Sequence, residues 1–144
     1  MHRKFNLLSV AAILLIGISP IHAEDPDEEM ILVSYAQDLY RQMGINMSRS
    51  AFDLEKIENE QRLFYIGLTS RNSTLSEDLL NAFLIGGAIS QHAKIPMDLI
   101  VVHVNIEFSN KKDMILQASG ECCEKLYANQ LTTEVFSEIC LLME

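Results

Sequence analysis

Positive charge is scarce in this 144-residue chain. Eleven lysines and arginines stand against twenty aspartates and glutamates, for a formal net charge of −9 at pH 7. A surface with that balance repels phosphate backbones and anionic headgroups. It excludes nucleic acid as a partner and favours a basic one. Histidine is scarcer still: His2 and His22 lie in the first 23 residues, which leaves His92 and His103 in the remainder. Neither stands at a zinc-ligand spacing from a cysteine, so no metal or cofactor is expected. The chain has no glycine-rich phosphate loop, no H-E-x-x-H and no G-x-S-x-G. Internal repeats and low-complexity tracts are missing as well. A small chain without a catalytic signature points to binding rather than to catalysis.

A long hydrophobic run is also wanting. The single candidate, Phe5 to Ile18, is interrupted by Asn6 and Ser9 and is too short to cross a bilayer comfortably. His2, Arg3 and Lys4 precede it. Pro20 ends it, and Ile21-His22-Ala23 resembles a small-residue cleavage site. That is the three-part design of a secretory signal peptide, so residues 1–23 read as a leader cleaved near Ala23. The expected mature protein is one domain, 24–144, secreted or periplasmic and without a stable membrane anchor. Loss of Arg3 and Lys4, with no acid lost, takes its net charge from −9 to −11.

Within 24–144 the pattern is helices, then a hairpin, then helices, which is an α+β arrangement. The acidic stretch EDPDEE leads into a helix over Met30–Met43, where Ile31, Tyr35, Leu39 and Met43 recur at helical spacing and Gly44 is a natural stop. Ser48 or Ser50 would cap a second helix through EKIENEQRLFY, whose composition is helical but whose apolar stripe is poor. LFYIGLTS reads equally as a strand, so 53–70 is open between the two. Thr74 and Glu77 have capping-box spacing before a helix over Leu75–Ala93 that is apolar almost all round, hence central. DLIVVHVNIEF alternates clearly: Val102, Val104, Ile106 and Phe108 on one side, His103, Asn105 and Glu107 on the other. With MILQAS returning, 98–118 forms a hairpin in a small antiparallel sheet.

Cysteine is limited to Cys122, Cys123 and Cys140. Two short helices, about Glu121–Asn129 and Thr132 or Thr133 to Met143, would run antiparallel across a short linker and bring those ends together. In an oxidising compartment this predicts a stapled helical hairpin with one disulfide, at a separation worth roughly 3 kcal/mol. Cys123 shares a helix face with Leu126 and Tyr127, which favours Cys123–Cys140 over the alternative Cys122–Cys140. The remaining thiol is expected to be buried.

Two features are candidates for binding. Gly86-Gly87 sits inside the central helix, where close approach of a neighbouring element or a ligand-facing notch would each require glycine. His103, Asn105 and Glu107 occupy the outward face of the clearest strand. A leftover thiol beside His103 would make a nucleophile–base pair, but the outward position makes His103 a surface residue. The expected function is that of a non-enzymatic accessory protein that binds another envelope or secreted protein. The surface would be a sheet edge or a groove between the N-terminal helix and Leu75–Ala93. A small apolar-ligand carrier and a thiol enzyme are the alternatives.

Overall fold

The structure is a computed structural model that describes residues 26–57, 60–108, 110 and 113–143. The leader expected at 1–23 lies outside the described residues. Helix α1 (Pro26–Gln42) opens with proline in its first turn, followed by Asp27, Glu28 and Glu29. Proline lacks the N–H that would be orphaned there, and the acids complement the helix dipole. Its buried stripe is Leu32, Val33, Ala36 and Tyr40, while Met30, Ile31 and Met43 face solvent. The apolar face is therefore rotated by about one residue from the Ile31–Tyr35–Leu39–Met43 stripe. Gly44, at φ +81°, ends the helix, and the Ile45 N–H returns to the Tyr40 carbonyl.

Within 53–70, residues 53–56 and 62–70 are strands. A 3₁₀ turn (Arg49–Ala51), capped by Ser48, precedes β1 (Phe52–Lys56), which pairs antiparallel with β2 (Arg62–Ser70). The helix-favouring composition of EKIENEQR gives way to apolar alternation. Phe52, Leu54, Phe64 and Ile66 all fall on one face, a period of two that no helix buries.

Helix α2 (Leu75–His92) then crosses to β3 (Leu99–Ile106), which pairs parallel with β2. The Thr74 side chain makes no cap bond to the helix backbone; it donates instead to Asp78 Oδ2 at 3.0 Å. Next, β4 (Met114–Ser119) returns antiparallel to β3 and completes the expected 98–118 hairpin. A fifth strand, β5 (Leu142–Met143), pairs with Leu116 and Gln117. The sheet order is β1-β2-β3-β4-β5, so the fold is α+β with a mixed five-stranded sheet, larger than the antiparallel one expected. Among the described residues no helix is long and apolar enough to cross a membrane.

The core lies between the sheet and the helices. Phe64, Ile66, Ile100, Val102, Val104 and Leu116 project from the strands toward α1 and α2. Phe108, expected on this side, is 95% exposed at φ +58°; the strand ends at Ile106 and the chain turns out. One ion pair is buried in this layer. Glu28 of α1 accepts from Arg62 of β2 at 2.5 Å, and its other oxygen accepts the Lys94 N–H at 3.3 Å. Asp98 reinforces the junction by taking the Arg62 backbone N–H at 2.7 Å.

The C-terminal staple joins Cys122 to Cys140, with Cα atoms 6.0 Å apart, rather than Cys123 to Cys140. Helix α3 (Gly120–Tyr127), capped by Ser119, turns Gly120, Cys123 and Leu126 inward. Its partner segment is α4 (Thr133–Val135), continuing as a wider π-type turn over Phe136–Cys140, and on α3 Cys123 is buried while Cys122 is only partly so. The bridge therefore takes the flank residue Cys122, and the core face takes Cys123. The expected second helix does not reach Met143, because the chain after Cys140 rejoins the sheet as β5.

Candidate functional site

The core side chains of the strands fall on one face of the sheet, the face packed against α1 and α2. The opposite face carries Asp53 and Glu55 from β1, Leu63, Tyr65, Gly67 and Thr69 from β2, His103 and Asn105 from β3, and Ile115 and Gln117 from β4. Along β2 this face is bounded by the α1–β1 connection. β1 pairs only with Arg62–Ile66, so from Gly67 onward the neighbour of β2 is the Ile45–Ala51 segment. The Gln37 side-chain amide holds that segment by donating to the Met47 carbonyl at 3.1 Å. Between segment and sheet runs an open groove of about 500 Å³, whose floor includes Tyr65, Gly67, His103, Asn105 and Asp113.

Its polar groups form one chain of hydrogen bonds. Asp113 Oδ2 lies 2.9 Å from His103 Nε2, and Asp113 Oδ1 accepts from the Asn105 amide at 2.8 Å. A carboxylate only accepts, so in the neutral imidazole Nε2 carries the proton and Nδ1 offers a lone pair. The Tyr65 hydroxyl, 2.7 Å from Nδ1, donates to it. Register explains the meeting. Gly67, opposite His103, has no side chain to cover the imidazole, and Tyr65, one alternation away, reaches it diagonally.

Asp113 brings a carboxylate to the groove. Asp113 is held below the usual carboxylate range by the hydrogen bonds from His103 and Asn105. The Tyr65 hydroxyl is pushed up, first by burial and then by the charges of Asp113 and Glu55. Glu55 is itself raised, chiefly by its hydrogen bond with neighbouring Asp53. Among the described residues Asp113 is the one acid that lines the groove, and no lysine or arginine lines it. Burial and the Asp113 and Glu55 charges oppose a Tyr65 phenolate. The arrangement keeps Tyr65 neutral.

The candidate residues separate. His103 and Asn105 meet in the groove, as their shared strand face implied. Glu107 lies past the end of β3 and pairs with Arg71 at 3.3 Å, away from the groove. Gly86 and Gly87 are packing glycines. A Cβ on Gly86 would press on the Ile100 side chain, and one on Gly87 would collide with the Cys123 carbonyl. No space remains there for a ligand. Cys123 is buried, and desolvation with the Glu124 charge pushes its thiol up to about 12, so it stays protonated and is no nucleophile. Sequence reasoning missed Tyr65, Asp113 and the Ile45–Ser48 wall. Tyr65 was hidden by the unsettled reading of 53–70, and Asp113 by its place in a polar turn.

Comparison with protein-family models, with curated proteins and with solved structures found no match to this chain.

Proposed function

We propose that this is an exported, non-enzymatic accessory protein that binds a basic segment of another envelope or secreted protein in the groove over the uncovered sheet face. The observation that carries the reading is the groove itself. It is preorganised by the Tyr65–His103–Asp113–Asn105 chain, walled by Ile45 and Met47, and lined by the Asp113 carboxylate with no lysine or arginine among the described residues. Apolar contact would supply affinity, and the fixed acceptors would set orientation. The acidic surface of the whole chain would steer a basic partner toward it.

The test is capture of a partner from an envelope extract at several salt concentrations, with Gly67→Gln as the discriminating variant. A Cβ at Gly67 meets only ordinary contacts, 3.5 Å from Tyr65 and 3.6 Å from the Ala51 carbonyl, so a side chain can start there, and Gly67 lines the groove. A defined partner should be retained by the wild type and lost by the variant. Retention that ignores Gly67→Gln, or no retention at any salt, would count against the reading.

A small apolar-ligand carrier has one observation of its own. A cleft of about 370 Å³ between α2, β4 and the C-terminal segment is lined by Leu80, Phe83, Leu116, Phe136 and Leu141. Native mass spectrometry of the purified protein tests it through a co-purifying small molecule.

A further inference from the structure

The hydrogen-bond chain in the groove places three titratable groups in a row: Tyr65, His103 and Asp113. The two ends are pinned. Asp113 is held below the usual carboxylate range by the His103 and Asn105 hydrogen bonds, so it stays ionised well into acid. Tyr65 is pushed up, first by burial and then by the Asp113 and Glu55 charges, so it keeps its proton into alkali. A proton added between those limits goes to the imidazole, the side chain type whose charge changes between about pH 5 and 8.

Geometry sets where that proton enters. His103 Nε2 lies 2.9 Å from the Asp113 carboxylate, which only accepts, so Nε2 already carries a proton. The vacant position is Nδ1, 2.7 Å from the Tyr65 oxygen. With His103 neutral, the Tyr65 hydroxyl donates to Nδ1. With His103 charged, both ring nitrogens are donors, and two hydrogens cannot share that 2.7 Å line. The Tyr65 O–H must then rotate about its Cζ–O bond, and its oxygen becomes the acceptor. Solvent supplies the proton, and no bond between heavy atoms changes.

The Tyr65 oxygen lies over the groove floor. It stands 4.0 Å from the point above Gly67 where a Cβ would be, and Gly67, Tyr65 and His103 all line the groove. Few other titratable groups share this face. Asp113 stands just before β4, Tyr65 is on β2, and Asp53 and Glu55 of β1 lie beyond Tyr65. Among the described residues the Ile45–Ala51 segment puts no titratable group into the groove.

We propose that His103 is a proton switch for this groove: on protonation it turns Tyr65 from donor to acceptor within the chain, frees the hydroxyl proton, and releases a bound basic segment. Release follows because the imidazolium offsets the Asp113 carboxylate and the freed O–H opposes an incoming N–H. The release step rests on the basic-segment reading; the reversal at Tyr65 does not.

The free mature protein is titrated from about pH 8 to about pH 5, with the His103 ring ¹⁵N and Tyr65 ¹³Cζ shifts as readout. The neutral ring should carry its proton on Nε2, Nδ1 should become protonated in acid, and Tyr65 should follow with the same midpoint. A neutral ring protonated on Nδ1, or a Tyr65 resonance that ignores His103, would overturn the reversal. The binding probe is acetyl-Lys-Val-Lys-Val-Lys-amide at constant ionic strength. Its affinity should fall about tenfold across the His103 transition. That fall should vanish in His103→Gln, shrink in Tyr65→Phe and persist in Glu55→Gln. A fall that survives His103→Gln, or one abolished by Glu55→Gln alone, assigns the pH dependence elsewhere and overturns the switch.

The two readings fail separately. A peptide that binds equally well at both ends of the titration keeps the groove and refutes the switch. A peptide that binds at neither end refutes the basic-segment reading and release with it, while the ring and Tyr65 shifts still decide the reversal.

Discussion

Removing the staple gives the most quantitative test of the architecture. Cys122 and Cys140 are separated by 18 positions and close a loop confined to the α3–α4 segment. In the chain-entropy model a loop of that length removes about 11 cal/mol/K from the unfolded chain, which is roughly 3 kcal/mol at 25 °C. Unfolding entropy is about 2.1 cal/mol/K per residue, so a domain of about 120 residues changes stability by on the order of 0.25 kcal/mol per degree near its midpoint. Cys122→Ala/Cys140→Ala should therefore melt roughly 12 °C lower than the oxidised wild type. Cys123→Ala should keep the bridge and lose only about 1 kcal/mol of packing. The assay is thermal unfolding followed by circular dichroism, paired with intact mass after alkylation before and after denaturation. The oxidised wild type should show one thiol, reactive only when unfolded, because Cys123 is buried with its thiol raised to about 12. Loss of the bridge in Cys123→Ala would refute the assignment. A double variant that melts within a few degrees of the wild type would refute the entropy argument.

Three other perturbations follow from the packing. Gly87→Ala should cost about 1–3 kcal/mol or more in denaturant unfolding, since the new methyl meets the Cys123 backbone carbonyl and not a movable side chain. Glu28→Ala removes a buried charge partner of Arg62, where both side chains are under one-tenth exposed, and should cost about 3 kcal/mol by the same assay. Asp113 has a folded-state value below the ordinary 3.8, so its contribution to stability is present above that value and is lost as pH falls through the depressed one. Its carboxyl ¹³C resonance should titrate below 3.8, and Asn105→Ala should move that midpoint upward.

Periodicity and punctuation made much of the fold legible. The alternation of Leu99–Ile106, the apolar run of α2 and the Gly44 stop each mark an element through local physics that tertiary packing does not override. The β1–β2 hairpin was harder, because glutamates and lysine around Ile57 favour helix while their neighbours alternate. Only the sheet, by burying Phe52, Leu54, Phe64 and Ile66 together, decides between them. The disulfide partner turned on which side of α3 the last segment passes, and no spacing rule supplies that. The groove was half visible: His103 and Asn105 share a strand face by alternation alone. Asp113 and Tyr65 join them through strand register, a long-range property.

The two-residue strand β5 has a consequence for how copies of the chain treat each other. β4 lies outermost on its side of the sheet apart from Leu142 and Met143, which pair with Leu116 and Gln117. Without that short cover, the apolar run Met114–Ser119 would present a row of unsatisfied backbone donors and acceptors, a template for edge-to-edge aggregation. Leu142 and Met143 are themselves largely exposed, so core packing contributes little to keeping them in place. Cys140, anchored to Cys122 just before them, holds them near the edge. The disulfide would then protect colloidal stability as well as folding, and reduction would show first as self-association of an otherwise native sheet.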